Sequence, residues 1–111
     1  MRLTSLNELP ILQVSHNPEI KKQVMIANGE IPHLTNFSQS RFAPGQISSA
    51  HSHGDMAEVF FVSAGTAKIT VNGQDYRLDV GSCITIAPGD VHEIVNDGDR
   101  DLVLTYFGIQ V

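Results

Sequence analysis

The chain has 111 residues, 41% of them hydrophobic and 17% charged, and a formal net charge of −5. That length suits one domain, residues 1–111, and that composition argues against disorder. The nearest approach to a basic run is Lys21-Lys22, which excludes the cationic patch that nucleic acid or an anionic membrane surface requires.

No apolar run nears the ~18 residues that span a bilayer. Residues 1–8 lack the apolar core of a secretory signal. Cys83 is the only cysteine, so no internal disulfide forms, and a reducing, cytoplasmic setting is expected.

In chain order, residues 1–19 carry no assignable element and are expected to cover a sheet edge or to dimerise. Strands are expected at 23–26 and 35–42. Pro44-Gly45 turns the chain into a strand at 47–53. Glu58-Val59-Phe60-Phe61-Val62 is strongly β-prone and ends before Gly65. Strands at 67–71 and 74–78 flank Asn72-Gly73, a hairpin signal because both residues tolerate positive φ. Strands at 82–86 and 91–95 flank the turn Ala87-Pro88-Gly89-Asp90. A turn at Asn96-Asp97-Gly98-Asp99 precedes the last strand, 102–107. Many short strands with dense turn signals and no helical apolar period predict an all-β sandwich or barrel. Phe37, Phe42, Phe61 and Phe107, with Ile and Val side chains, are expected in the core.

Three of the five histidines stand out by their spacing. His51 and His53 are two apart, so a strand would point both to one face. Glu58 follows a short link and opens an otherwise apolar strand, where a buried carboxylate needs a partner. His92 follows a Pro-Gly turn. Three imidazoles and a carboxylate suit Fe, Mn, Ni, Co, Cu or Zn.

These residues carry a family resemblance. Gly45, five residues, His51-Ser52-His53, four residues, Glu58, six residues and Gly65 resemble the first cupin motif, over 45–65. Gly81, then Ala87-Pro88-Gly89, two residues, His92, three residues and Asn96 resemble the second, over 81–96. The family usually has proline where Ala87 stands. The resemblance implies a double-stranded β-helix, the small jelly-roll barrel of single-domain cupins. It also implies one divalent transition metal per chain, held by His51, His53, Glu58 and His92, with Fe or Mn foremost and Zn, Ni, Co or Cu as alternatives. A homodimer is implied as well.

Strand alternation then suggests a cavity lining. From Glu58 it selects Phe60 and Val62, from His51 Ser49 and Ile47, and from His92 Ile94 and Asn96. Arg41, Gln39 and Tyr106 are candidates to hold a substrate's carboxylate or carbonyl, and Asp55 is a candidate base. Cys83 reads as a small hydrophobe on a strand. His16 and His33 read as loop residues, Asn96 as a turn-closing residue, and Asp97, Asp99 and Asp101 as a solvated hairpin tip.

The cupin resemblance leaves function open. The reading placed first is an enzyme acting on a small organic molecule, of dioxygenase, decarboxylase or isomerase type. The alternatives are a non-catalytic module that binds a sugar or small acid, and a self-associating protein in which the metal only ties strands together.

Overall fold

Inward apolar residues alternate with outward polar ones between glycine turns, and each such stretch forms a strand. The computed structural model describes residues 1–14 and 17–111. The reading of His16 lies outside the described residues.

A 3-10 turn at Leu6–Glu8 precedes ten strands among the described residues: β1 (Leu12–Val14), β2 (Asn17–Ile26), β3 (Leu34–Phe42), β4 (Ile47–His51), β5 (Met56–Ala64), β6 (Ala67–Val71), β7 (Gln74–Leu78), β8 (Cys83–Ile86), β9 (His92–Val95) and β10 (Leu102–Gln110). They form a six-stranded sheet, β1-β2-β3-β10-β5-β8, and a four-stranded sheet, β4-β9-β6-β7. Every pairing is antiparallel. The two sheets close as the jelly-roll barrel that the motifs imply.

The core lies between the sheets. Ile20, Phe42, Phe60 and Val62 of the larger sheet meet Ala67, Ile69, Leu78 and Ile94 of the smaller one, and Leu102 and Leu104 fill the centre. Burial of each large aliphatic side chain contributes roughly 1.5–3 kcal/mol. The hairpin between β6 and β7 turns on Asn72 (φ 49°) and Gly73 (φ 83°), the left-handed pair that this tight turn demands.

The N-terminal stretch, unassigned from sequence, supplies the 3-10 turn, β1 and the start of β2. β2 begins at Asn17 rather than at residue 23, and β1 pairs with it at the edge of the larger sheet. β4 ends at His51, so His53 lies past the strand. Phe61 is 43% exposed and pairs with Cys83 across β5 and β8. Both face outward, which corrects the expectation that Phe61 joins the core and Cys83 packs as a small hydrophobe. Of the four phenylalanines expected in the core, Phe42 is buried there. Phe37 and Phe107 are half-buried and meet edge to face, with ring centroids 6.4 Å apart. No helix among the described residues is long and apolar enough to cross a membrane.

Candidate metal centre

Neighbouring strands of both sheets deliver the site. Glu58 is the third residue of β5 and points inward, as Phe60 and Val62 do; all three are buried. In register across the larger sheet, Glu58 lies beside Gly108 of β10, which lies beside Asn36 of β3. A Cβ on Gly108 would strike Thr35 Oγ1 and approach Met56 Sδ, so glycine keeps this wall close-packed next to the carboxylate. From the smaller sheet, His51 of β4 pairs with His92 of β9. The β4–β9 register shifts between Ser48 and His51. That irregularity breaks simple alternation: Ser48 is buried on the cavity wall while Ile47 and Ser49 are exposed. The sequence expectation for Ile47 and Ser49 fails for this reason.

His53 reaches the same place from the loop after β4. The Gly89 N–H donates to the His53 carbonyl at 2.8 Å, tying this loop to the turn before His92. That turn is itself pinned. The Asn72 amide donates to Asp90 at 3.0 Å, and the other Asp90 oxygen accepts the Ala87 N–H at 2.9 Å. The Asn72 amide first, and the Ala87 N–H second, hold the Asp90 carboxyl below its usual range.

The four side chains bring one ligand atom each to within 4.8 Å of one another. Glu58 Oε1 lies 3.2 Å from His92 Nε2 and 3.5 Å from His53 Nε2. The His51 and His92 rings are 4.4 Å apart by centroid, and those of His51 and His53 4.9 Å.

Hydrogen bonding fixes two tautomers. A carbonyl only accepts, so His51 Nδ1–H donates to the Ser49 carbonyl at 2.7 Å and His92 Nδ1–H to the Asp90 carbonyl at 3.0 Å. In the neutral ring this leaves each Nε2 as a lone pair, the arrangement that orients histidine toward a metal. His92 Nε2 and Glu58 Oε1 are both buried, and among the described residues neither has a hydrogen-bond partner besides the other. Two acceptors facing each other at 3.2 Å in a buried place repel unless a cation or a proton lies between them. In the metal-free protein a proton on His92 Nε2 would relieve that repulsion. Burial pushes the His92 pKa down, but the Glu58 carboxylate and the Asp90 carbonyl outweigh it, and the net direction is up.

The donor set fits a divalent transition ion. Three imidazole nitrogens and one carboxylate oxygen converge within 4.8 Å of one another, a donor set of the kind that such an ion would take.

The site opens into a cavity of about 180 Å³ between the sheets. Phe60 and Tyr106 line it, with ring centroids 5.4 Å apart. The Ser40 hydroxyl donates to the Tyr106 oxygen at 3.0 Å. Burial first, and then the nearby Glu58 charge, raise the Tyr106 pKa, so this phenol stays protonated across the ordinary pH range.

Arg41 and Gln39 do not reach the cavity. On β3 the inward residues are Ser38, Ser40 and Phe42, so their odd-numbered neighbours face out. Arg41 pairs with Asp101 at 3.3 Å and Gln39 donates to Thr105. Asp55 is exposed and not on the cavity wall, and its carbonyl accepts the Val111 N–H. His33 lies in an exposed loop at φ 70°. Asn96 is fully buried and closes its turn, donating to the Phe42 and Arg100 carbonyls and accepting from the Gly98 N–H.

The sequence reading missed Asn36, Ser40, Ser48, Met56 and Lys22, all on the cavity wall. Phe42 carried the signal for β3: an inward Phe42 places Ser40, not Arg41, on its face.

Comparison with known proteins agrees with this architecture. A family model described as "Cupin domain" matches residues 38–108. The chain is 28% identical over 92 residues to gentisate 1,2 dioxygenase 1 of Aquipseudomonas alcaligenes, a match covering 77% of this chain and 26% of that protein. It is 27% identical over 66 residues to an oxalate-binding protein of Thermotoga maritima, covering 60% of this chain and 54% of that one. The chain thus spans about a quarter and about half of these two relatives. Among solved structures, one described as a predicted oxalate decarboxylase from Thermotoga maritima superposes with a TM-score of 0.92 at 19% identity, over 99% of this chain and 100% of the other. A sugar phosphate isomerase from Silicibacter pomeroyi superposes with a TM-score of 0.84 at 16% identity, over 99% and 76%. At these identities the structural likenesses establish the fold alone.

Proposed function

This chain belongs to the cupin family, and from that premise we propose that it is a metal-dependent enzyme acting on a small organic molecule. His51, His53, Glu58 and His92 hold one divalent metal, with Fe or Mn preferred, and the substrate enters the cavity beside Phe60 and Tyr106. The observation that carries this reading is the buried Glu58 Oε1 facing the buried His92 Nε2 with no other hydrogen-bond partner for either among the described residues. Two buried acceptors this close need a proton or a cation between them, and the converging His51 and His53 imidazoles add the further donors that a metal ion takes and a proton does not.

The bound metal would supply Lewis acidity, or oxygen activation if it is iron. The chain's own groups do the rest. Asp90 and Ser49 carbonyls aim two of the imidazoles. Phe42, Phe60, Ile94 and Leu104 line the cavity with apolar surface that limits water. The Tyr106 oxygen already accepts from Ser40, so its own proton is available to a substrate oxygen.

Similarity to a dioxygenase favours oxygen-dependent cleavage, and decarboxylation and isomerisation are the other reactions that such a donor set admits. The test is turnover by Fe- and Mn-loaded protein on a panel of small acids, phenols and sugar phosphates, followed by O₂ uptake, CO₂ release and NMR. At least one reaction is expected, and it should vanish in Glu58→Gln.

Similarity to an oxalate-binding protein favours a second reading, a non-catalytic module that holds a small molecule. A ligand bound tightly and recovered unchanged, with no turnover across the panel, would establish that reading instead. We also propose a homodimer. The exposed Phe61, Cys83 and Ile109 on the outer face of the larger sheet support it, and light scattering tests it.

A further inference from the structure

The cavity contains a cation that the metal-site reading leaves unused. Lys22 lies on β2, two residues after the fully buried Ile20 and on the same strand face. In register it pairs with Ser40, whose side chain is buried. Lys22 and Ser40 both line the cavity that holds the histidines. Among the described residues no carboxylate forms an ion pair with Lys22. Among the described residues Glu58 is the only acidic side chain on the cavity wall, and it faces the histidines.

Charge then limits what can bind. A divalent ion, the Glu58 carboxylate and the Lys22 ammonium together leave the cavity two positive charges in excess. A partly enclosed, low-dielectric site favours a ligand that cancels that excess. A cavity of about 180 Å³ has room for a short chain of carbons.

We propose that the ligand is a short dicarboxylate, with one carboxylate at the metal and the other on Lys22 Nζ, and that Lys22 is the residue that selects it. The Ser40 and Tyr106 hydroxyls lie on the same wall and complete the polar side of the pocket. This inference rests on the metal reading above.

The test uses zinc-loaded protein, in which redox chemistry is absent, and titration calorimetry. Malonate and succinate are the dicarboxylate probes, with propionate and butyrate as their monocarboxylate counterparts. Wild-type protein, Lys22→Met and Lys22→Arg are compared, and metal content is measured for each by mass spectrometry. Wild type should bind one of the dicarboxylates at least about tenfold more tightly than its counterpart. Lys22→Met should weaken that binding by about ten- to hundredfold, the loss expected for a hydrogen bond to a charged group, with bound zinc unchanged. Lys22→Arg should retain most of the preference. Equal binding by wild type and Lys22→Met, or no dicarboxylate preference in wild type, would overturn the proposal. Absence of zinc from wild-type protein would overturn the metal reading itself, and the metal assay reads that outcome separately.

Discussion

His92 is 1% exposed, and its Nε2 faces a carboxylate oxygen 3.2 Å away. Burial alone would depress its pKa, yet Glu58 and the Asp90 carbonyl reverse the direction. A histidine whose folded-state pKa lies above its unfolded value of about 6.5 stabilises the metal-free fold below that pH. The contribution is lost as pH rises through the folded value. Proton and metal compete for the same lone pair, so metal affinity should begin to fall at a pH above about 6.5 as the solution is acidified. Competition titrations from pH 5 to 8 check this, and pH-independent affinity would contradict the histidine assignment. In metal-free Glu58→Gln the carboxylate's raising influence is gone while that of the Asp90 carbonyl remains, so the His92 pKa read by imidazole NMR should drop. His51, His53, Glu58 and His92 were legible in the sequence because their spacing matched a motif. Lys22 was not: in Lys21-Lys22-Gln23 every residue is polar, and only the pairing of Lys22 with Ser40 shows which one turns inward.

At the scale of elements, glycines at two turns have different tasks. Gly65 has φ +77°, and a Cβ there would lie 2.5 Å from the Asp101 carbonyl oxygen. Gly73 has φ +83° with nothing within 4 Å. Gly73→Ala should therefore cost only the left-handed backbone penalty, about 1–2 kcal/mol. Gly65→Ala adds a backbone clash and should cost about 2–4 kcal/mol. Urea unfolding of both variants measures the difference, and equal losses would contradict the close approach. The β6–β7 hairpin was read to the residue because Asn72-Gly73 dictates its turn. The face of β4 was misread because a register irregularity leaves no mark on residue periodicity. Gln39 and Arg41 were misplaced because their polarity suggested a substrate contact. The same strand's Phe42 belongs to the core, and strand parity cannot satisfy both. Outward Phe61 shows the limit of hydrophobicity as a guide to burial: strand parity from Glu58, which selects Phe60 and Val62, leaves Phe61 on the opposite face of β5.

For the whole molecule, the core extends well beyond the candidate metal centre. Val62, Ile69 and Leu102 are buried between the sheets with no part in the donor cluster or the cavity wall. The barrel should therefore remain folded after chelation, unlike small proteins whose fold depends on the ion. Binding should still add stability by mass action: metal at a hundredfold over its Kd contributes about 2.7 kcal/mol, which is roughly 10 °C in Tm for a chain of this size. Thermal melts with metal and with chelator test both statements, and loss of the folded baseline on chelation would assign the ion a structural role. The most direct test of the account is the metal content of untagged protein, purified without chelator and measured by mass spectrometry beside a His51→Ala, His92→Ala double variant. About one equivalent of a transition metal in the wild type, absent from a variant that still folds, is the expected result. A wild-type chain that stays metal-free after reconstitution, or a variant that keeps its metal, would contradict it.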